Sequence, residues 1–161
     1  MLTSALVRRA YLSLGSNLGD RGAYLALGVA ELTAREAHRV SRVYESEPVG
    51  GVTQGDFWNL VVELTTEDSP EALLERAQHA ETLAQRVRDV RWGPRTLDVD
   101  LLIVGDEQRA SEQLTLPHPR LYERSFVLAP LRELAPELVS EAQRAAGEGR
   151  VVLLGTLESL R

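Results

Sequence analysis

Phe57-Trp58-Asn59-Leu60-Val61-Val62-Glu63-Leu64-Thr65-Thr66, with Ser69-Pro70-Glu71 close behind, is the stretch from which the fold can be read. Its alternation makes it a strand, with Trp58, Leu60, Val62 and Leu64 on the core face and Phe57 and Asn59 on the other. Ser69 is an N-cap residue, Pro70 suits the first helical position and Glu71 complements the positive end of a helix. Leu73, Leu74, Ala77, Ala80, Ala84 and Val87 then recur at helical spacing, which carries this helix to about Arg88.

Upstream, Ala10 to Leu14 reads as a strand, and Gly15-Ser16-Asn17-Leu18-Gly19-Asp20 is turn chemistry. Asp20 caps a helix expected to reach about Arg35, with Leu25, Val29 and Leu32 on one face. A strand follows at Val40 to Ser46, then a loop from Pro48 to Gly55. Downstream, a loop rich in Gly and Arg leads to a strand at Leu97 to Val104, which Gly105-Asp106 turns back. The resulting order, βαββαβ, predicts an α+β fold of ferredoxin-like type, an antiparallel sheet with helices packed on one side. Pro117 to Leu134 reads as a loop and a short helix, and Gly147 to Arg161 fits strand or helix equally, as part of a C-terminal extension.

The chain has 161 residues, 43% apolar and 26% charged, which fits one globular domain over 1–161. No run approaches the roughly 20 apolar residues of a membrane span, and Leu2 to Val7 lacks a preceding basic stretch, so a cytoplasmic protein with no membrane partner is expected. Without cysteine, thiolate nucleophiles, disulfides and cysteine-bound metals are excluded. The net charge of −6 argues against a general nucleic-acid binder. All 18 basic residues are Arg, so a P-loop lysine is absent and any phosphate contact uses a planar guanidinium.

The chemistry concentrates in Arg91-Trp92-Gly93-Pro94-Arg95-Thr96-Leu97-Asp98-Val99-Asp100-Leu101-Leu102. Alternation places Leu97, Val99, Leu101 and Ile103 on one face and both aspartates on the other, their backbones roughly 6.6 Å apart by strand rise. Two such carboxylates can converge on a metal pair, and Mg²⁺ suits them because it takes oxygen ligands and shares its shell with phosphates. Arg86, Arg88, Arg91 and Arg95 lie just upstream against one acid, Asp89, as a metal–polyphosphate site requires. Phe57 and Asn59, facing away from the core, suit a flat hydrogen-bonding ligand. Gln78 and Glu81 are neighbours on one helix face. In Leu116-Pro117-His118-Pro119-Arg120, two prolines hold a histidine in a fixed loop that can present its imidazole to an anion.

Three segments together resemble the 6-hydroxymethyl-7,8-dihydropterin pyrophosphokinase family: Leu14-Gly15-Ser16-Asn17-Leu18-Gly19-Asp20, the Arg91 to Asp100 segment, and Leu116-Pro117-His118-Pro119-Arg120 with Arg124-Ser125-Phe126-Val127-Leu128-Ala129-Pro130-Leu131. The resemblance covers about Ala10 to Val139 and implies transfer of diphosphate from the co-substrate ATP to the pterin hydroxymethyl oxygen, leaving AMP. It implies that Asp98 and Asp100 hold two Mg²⁺ ions, that Arg95, His118 and Arg124 contact the triphosphate, and that Arg86 and Arg88 reach in from a mobile loop ending at Trp92. Arg86, Arg95, Asp98 and Asp100 would be the catalytic set. It further implies that Phe57 and Phe126 sandwich the pterin and Trp92 closes over it, that Ser46 and Asn59 bond its edge with backbone help near Glu47 and Val49, and that Gln78, Glu81 and Leu101 line the ATP site. Relative to the family form, Phe57 replaces a Tyr, Ser46 a Thr, Glu47 a Pro and Pro119 a Tyr, and the segment between Arg88 and Trp92 is one residue shorter. A monomer acting on small molecules is expected.

Two rivals remain. A two-metal nucleotidyltransferase would use Gly15-Ser16 with paired acids, but in such enzymes the acids follow the Gly-Ser closely, whereas Asp98 lies far downstream. A non-enzymatic ferredoxin-like binding domain for RNA or a small molecule is the other, since that fold hosts many functions.

Overall fold

The computed structural model describes residues 6–48, 54–85 and 96–161. Its principal sheet is antiparallel, and β1 (Arg8–Ser16) lies inside it between β4 (Phe57–Thr66) and β5 (Asp98–Val104). β2 (His38–Val40) and β3 (Val43–Ser46) both pair with β4, and β8 (Val151–Gly155) pairs with β3, giving the order β5-β1-β4-β3-β8. β6 (Arg109–Ala110) and β7 (Thr115–Leu116) form a separate small hairpin. The helices are α1 (Arg21–Thr33), α2 (Pro70–Gln85), α3 (Ser125–Leu134) and α4 (Glu141–Ala146).

The helix starts are the ones the sequence specifies. The Asp20 carboxylate accepts the Ala23 N–H at 3.0 Å, and the Ser69 hydroxyl accepts the Ala72 N–H at 3.1 Å, each satisfying an otherwise orphaned donor. β4 runs over the residues expected of it. The strand expected at Val40 to Ser46 is instead broken into β2 and β3. At the break the Ser41 hydroxyl takes the Val61 N–H at 2.9 Å, a side chain standing in for a ladder carbonyl. The ambiguous C-terminal stretch contains β8, which extends the sheet edge.

Two expectations are corrected. The helices do not lie on one side only: α1 and α2 cover one face through Leu25, Leu32, Leu73 and Ala77, and α3 covers part of the other through Val127, Leu128, Leu131 and Leu134. Apolar Tyr11, Val61 and Leu102 on that second face demand a cover, which the α3 segment supplies. Ile103 also leaves the face of Val99 and Leu101 and packs with the α3 cluster. A register shift between Tyr11 and Leu12 sets Tyr11 opposite Ile103 but Leu12 opposite Leu101, so strict alternation fails at Leu102.

α3 covers only one end of this face. At that end the Tyr11 hydroxyl donates to Glu63 at 2.7 Å, while Arg39 bonds both Glu63 oxygens at 2.8 and 2.9 Å and the Leu134 carbonyl at 2.6 Å. Glu63 is 5% exposed, so its charge persists only because of these donors. The Arg39 guanidinium first, against the opposing effect of burial, and the Tyr11 hydroxyl hold its carboxyl below the ordinary range. Glu63 thus contributes stability that is full above the unfolded carboxyl pKa and is lost as pH falls through the lower folded value. Tyr11→Phe is expected to cost about 1.5 to 3 kcal/mol at pH 7, the range for a hydrogen bond to a charged group. Urea denaturation measures it, and Glu63→Gln should flatten the acid limb of stability against pH.

Candidate active site

The other end of the α3-side face is open and forms the floor of a cleft of about 530 Å³. Ser13 and Gly15 of β1, Phe57 and Asn59 of β4, and Asp98 and Asp100 of β5 all face it. The ladder aligns them: Asp100 lies opposite Ser13, Asp98 opposite Gly15, and Gly15 opposite Asn59. The start of α3 forms a second wall with Arg124 and Phe126, joined by Arg120. Ser46 and Glu47 complete the end beyond Phe57.

Asp98 and Asp100 therefore share one surface, as alternation predicts, and Asp100 is exposed. Among the described residues no third histidine or acid joins them in a metal-holding cluster. Two carboxylates alone suit Mg²⁺ bound jointly with a polyphosphate, since that ion keeps several positions for water and phosphate oxygens. Arg124 has no acid partner among the described residues; burial first, then the neighbouring Arg120 charge, lower its pKa below the ordinary arginine value. An anion in the cleft relieves both penalties. Its guanidinium also lies over the Phe126 ring, 5.5 Å from the centroid.

Asn59 is 3% exposed and its amide orientation is fixed: Nδ2 donates to the Tyr44 carbonyl at 3.0 Å, an atom that can only accept. The second Nδ2 hydrogen goes to the Ser46 hydroxyl at 2.9 Å. The Asn59 Oδ1 acceptor lies beside Gly15, 3.2 Å from where a Cβ there would stand. Ser46, accepting from Asn59, keeps its own O–H to donate. The pair thus offers one acceptor and one donor to a planar ligand edge.

His118 is not on the cleft wall but lies within electrostatic reach of Asp100, Arg124 and Arg120. Its N–H donates to the Leu102 carbonyl at 2.9 Å, fixing the loop against β5, and its Nδ1 accepts the Arg120 N–H at 3.1 Å. That bond leaves the proton of the neutral ring on Nε2. Burial, the largest effect, and the two arginines push its pKa below the usual value, while Asp100 pulls it up.

The three residues expected at an ATP site on the α2 side are not on the cleft wall. Leu101, 4% exposed, packs in the cluster beneath α1 and α2, and Gln78 is exposed on α2. Glu81 accepts the Val99 N–H at 2.9 Å, bracing the strand between its two aspartates. Val49, Arg86, Arg88, Trp92 and Arg95 lie outside the described residues. Conversely, Ser13, Gln54, Arg120, Glu148 and Arg150 line the cleft without having been singled out as site residues. The alternation that buries Leu12 and Leu14 is signal enough for Ser13; nothing local marks Glu148 or Arg150.

Carboxylates, guanidiniums and two phenyl rings lining one cleft suit a transferase for a charged group. Comparison with known proteins narrows the class. The family 7,8-dihydro-6-hydroxymethylpterin-pyrophosphokinase (HPPK) matches residues 11–136. A 2-amino-4-hydroxy-6-hydroxymethyldihydropteridine pyrophosphokinase from Bacillus subtilis is 48% identical over 139 residues, 84% of this chain and 83% of the relative. One of the same name from Methylorubrum extorquens is 46% identical over 134 residues, 81% of this chain and 85% of its own. A Plasmodium falciparum HPPK-DHPS crystal structure shares the fold at TM-score 0.58 and 14% identity, covering 80% of this chain, which spans 41% of that one. The chain belongs to the HPPK family and is a pyrophosphokinase.

In an NMR titration of the metal-free protein, His118 should titrate below the ordinary histidine value. Asp100→Asn should lower it further, by removing the charge that favours the imidazolium, and Arg120→Ala should raise it.

Proposed function

We propose that the cleft transfers diphosphate from ATP to the hydroxymethyl group of 6-hydroxymethyl-7,8-dihydropterin, giving AMP and the pterin diphosphate in folate biosynthesis. The observation that carries this reading is the placement of Asp98 and Asp100 on the cleft side of β5, across from Gly15 and Ser13 and in one cavity with Arg124, Phe57 and Phe126. The hydroxymethyl oxygen attacks the β-phosphorus, the bond from that phosphorus to the α,β-bridging oxygen breaks, AMP departs with the oxygen, and the hydroxyl proton passes to a phosphate oxygen of the products and leaves with them.

Asp98 and Asp100 would hold two Mg²⁺ ions, and the chemistry these would supply is neutralisation of phosphate charge. Arg124 and Arg95 grip the triphosphate through planar forks. His118 donates from Nε2 to a phosphate oxygen. Arg86, Arg88 and Trp92 complete the set, and closing them over the substrates excludes water. The Asn59 carbonyl oxygen and the Ser46 hydroxyl read the pterin's amide-like edge, with Glu47 and Val49 supplying backbone contacts, while Phe57 and Phe126 stack on its faces. Gln78, Glu81 and Leu101 serve the ATP side from behind β5, with Leu101 restricted to its backbone. The chain is one domain and works as a cytoplasmic monomer without nucleic acid, and its −6 charge supports the last of these.

Asp98→Ala and Asp100→Ala should each lower turnover by at least about 10³-fold in a coupled AMP-release assay, because metals and electrostatics carry nearly all of this chemistry. Near-normal turnover in either variant overturns the metal assignment. A non-hydrolysable ATP analogue at about 100 times its Kd should stabilise the fold by about 2.7 kcal/mol, but only with Mg²⁺ present. Gly15→Ala puts a methyl group 3.5 Å from the Phe57 ring and 3.2 Å from the Asn59 oxygen, on the pterin floor. It should raise KM for the pterin and leave KM for ATP unchanged.

A further inference from the structure

The family match ends at residue 136, yet the wall of the cleft continues beyond it, through Glu148, Gly149, Arg150 and Val151. α4 begins in a capping box, the Ser140 hydroxyl accepting from Gln143 N–H and the Gln143 side chain accepting from Ser140 N–H, and delivers the chain to Gly147. From there it runs alongside the start of α3. Glu148 makes two backbone hydrogen bonds that straddle Arg124: its N–H donates to the Glu123 carbonyl at 2.7 Å, and its carbonyl accepts the Ser125 N–H at 3.0 Å. Shortly afterwards Val151 enters β8 opposite Ser46. One short strap therefore ties the wall bearing Arg124 and Phe126 to the wall bearing Ser46.

α3 needs that tie. Arg124 occupies its N-cap position with an extended backbone and no side-chain cap, so the Ser125 N–H has the Glu148 carbonyl as its partner. The strap also fits too closely for a side chain at its first residue. A Cβ at Gly147 would stand 2.9 Å from Leu128 Cδ1, 2.9 Å from Ser125 Oγ and 3.2 Å from the Ser125 nitrogen. A larger residue there makes the Leu128 and Ser125 side-chain ends rotate away and the Ser125 backbone yield by a few tenths of an ångström, at the first turn of α3.

We propose that the Gly147–Glu148 strap is a positioning element of the active site, which sets where Arg124 meets the triphosphate although it lies outside the family-matched region. The proposal rests on the reading of Arg124 as a triphosphate contact. A guanidinium fork held by a rigid backbone is pre-organised for its anion, and a shift of about 1 Å in such a group is enough to cost on the order of 10²-fold in rate.

The test is steady-state kinetics on Gly147→Ala, Arg124→Ala and the double variant, with Tyr11→Phe, which loses only the hydrogen bond to Glu63, as a destabilised control. Gly147→Ala is expected to raise KM for ATP several-fold through the displaced fork. In the Arg124→Ala background the same change should leave KM for ATP where Arg124→Ala alone put it, and Tyr11→Phe should leave it at the wild-type value. Equal effects of Gly147→Ala in both backgrounds indicate general disruption and overturn the proposal. If Arg124→Ala raises KM and Gly147→Ala does not, the strap has no positioning role. If Arg124→Ala has no effect, the triphosphate reading of Arg124 fails and the proposal with it. Wild-type protein supplies a second readout that needs no variant to fold. Binding of a non-hydrolysable ATP analogue with Mg²⁺ should slow amide exchange at both Ser125 and Glu148, because a strap that orders Arg124 is ordered by Arg124's ligand. Unchanged exchange at both amides overturns the proposal independently.

Discussion

One register governs the site. β1 lies between two antiparallel partners, and its Leu12 and Leu14 side chains are locked into the α1–α2 core, so Ser13 and Gly15 face the cleft. The ladder then brings Asp100 beside Ser13, and both Asp98 and Asn59 beside Gly15. A slip of one residue in β5 would drive both aspartates into the apolar core and expose Val99 and Leu101, a cost far beyond what any local contact returns. The packing that stabilises the fold is therefore the same constraint that gathers the carboxylates. The register shift between Tyr11 and Leu12 lies just outside the cleft and lets Leu102 and Ile103 both serve the α3 cluster without disturbing the alternation of Asp98 to Leu101.

α3 divides the second face of the sheet by function. Its C-terminal end is tied down through the Leu134 carbonyl to Arg39, and through Glu133 to Arg42 and the Tyr44 hydroxyl, the latter at 2.8 Å. Burial and that carboxylate push the Tyr44 hydroxyl up to about 12, so it remains a donor at any physiological pH. With one end braced, the other presents Arg124 and Phe126 to the cleft. The cleft cations differ in kind. Arg120 already bonds Glu123 at 3.0 Å, whereas Arg124 meets the field of Arg120 without a carboxylate of its own among the described residues.

Most of what periodicity can express was legible in the sequence. The alternation of Phe57 to Thr66 and of Asp98 to Leu101 correctly assigned faces, and the Asp20 and Ser69 caps correctly placed two helix starts. What was missed depends on pairing between distant segments. The apolar Val127, Leu128 and Leu131 announce a buried helix, but not that it covers the face opposite α1 and α2. Ile103 was misplaced because a bulge is a relation between two strands, invisible in either alone. Glu148 is held beside the cleft by backbone hydrogen bonds, whose partners side-chain identity does not reveal. Leu101 joined the expected site through family resemblance, against the core-facing direction that its own strand had indicated.

The amide of Asn59 has a bearing on drug escape. Both of its Nδ2 hydrogens are committed to the protein, one to a backbone carbonyl of the neighbouring strand, and only its oxygen faces outward. A mutation that evicts an inhibitor by altering this side chain also strips a hydrogen bond from the buried sheet. Resistance arising at this position would therefore carry a folding defect, so compounds anchored on that oxygen confront the organism with a narrow choice of substitutions.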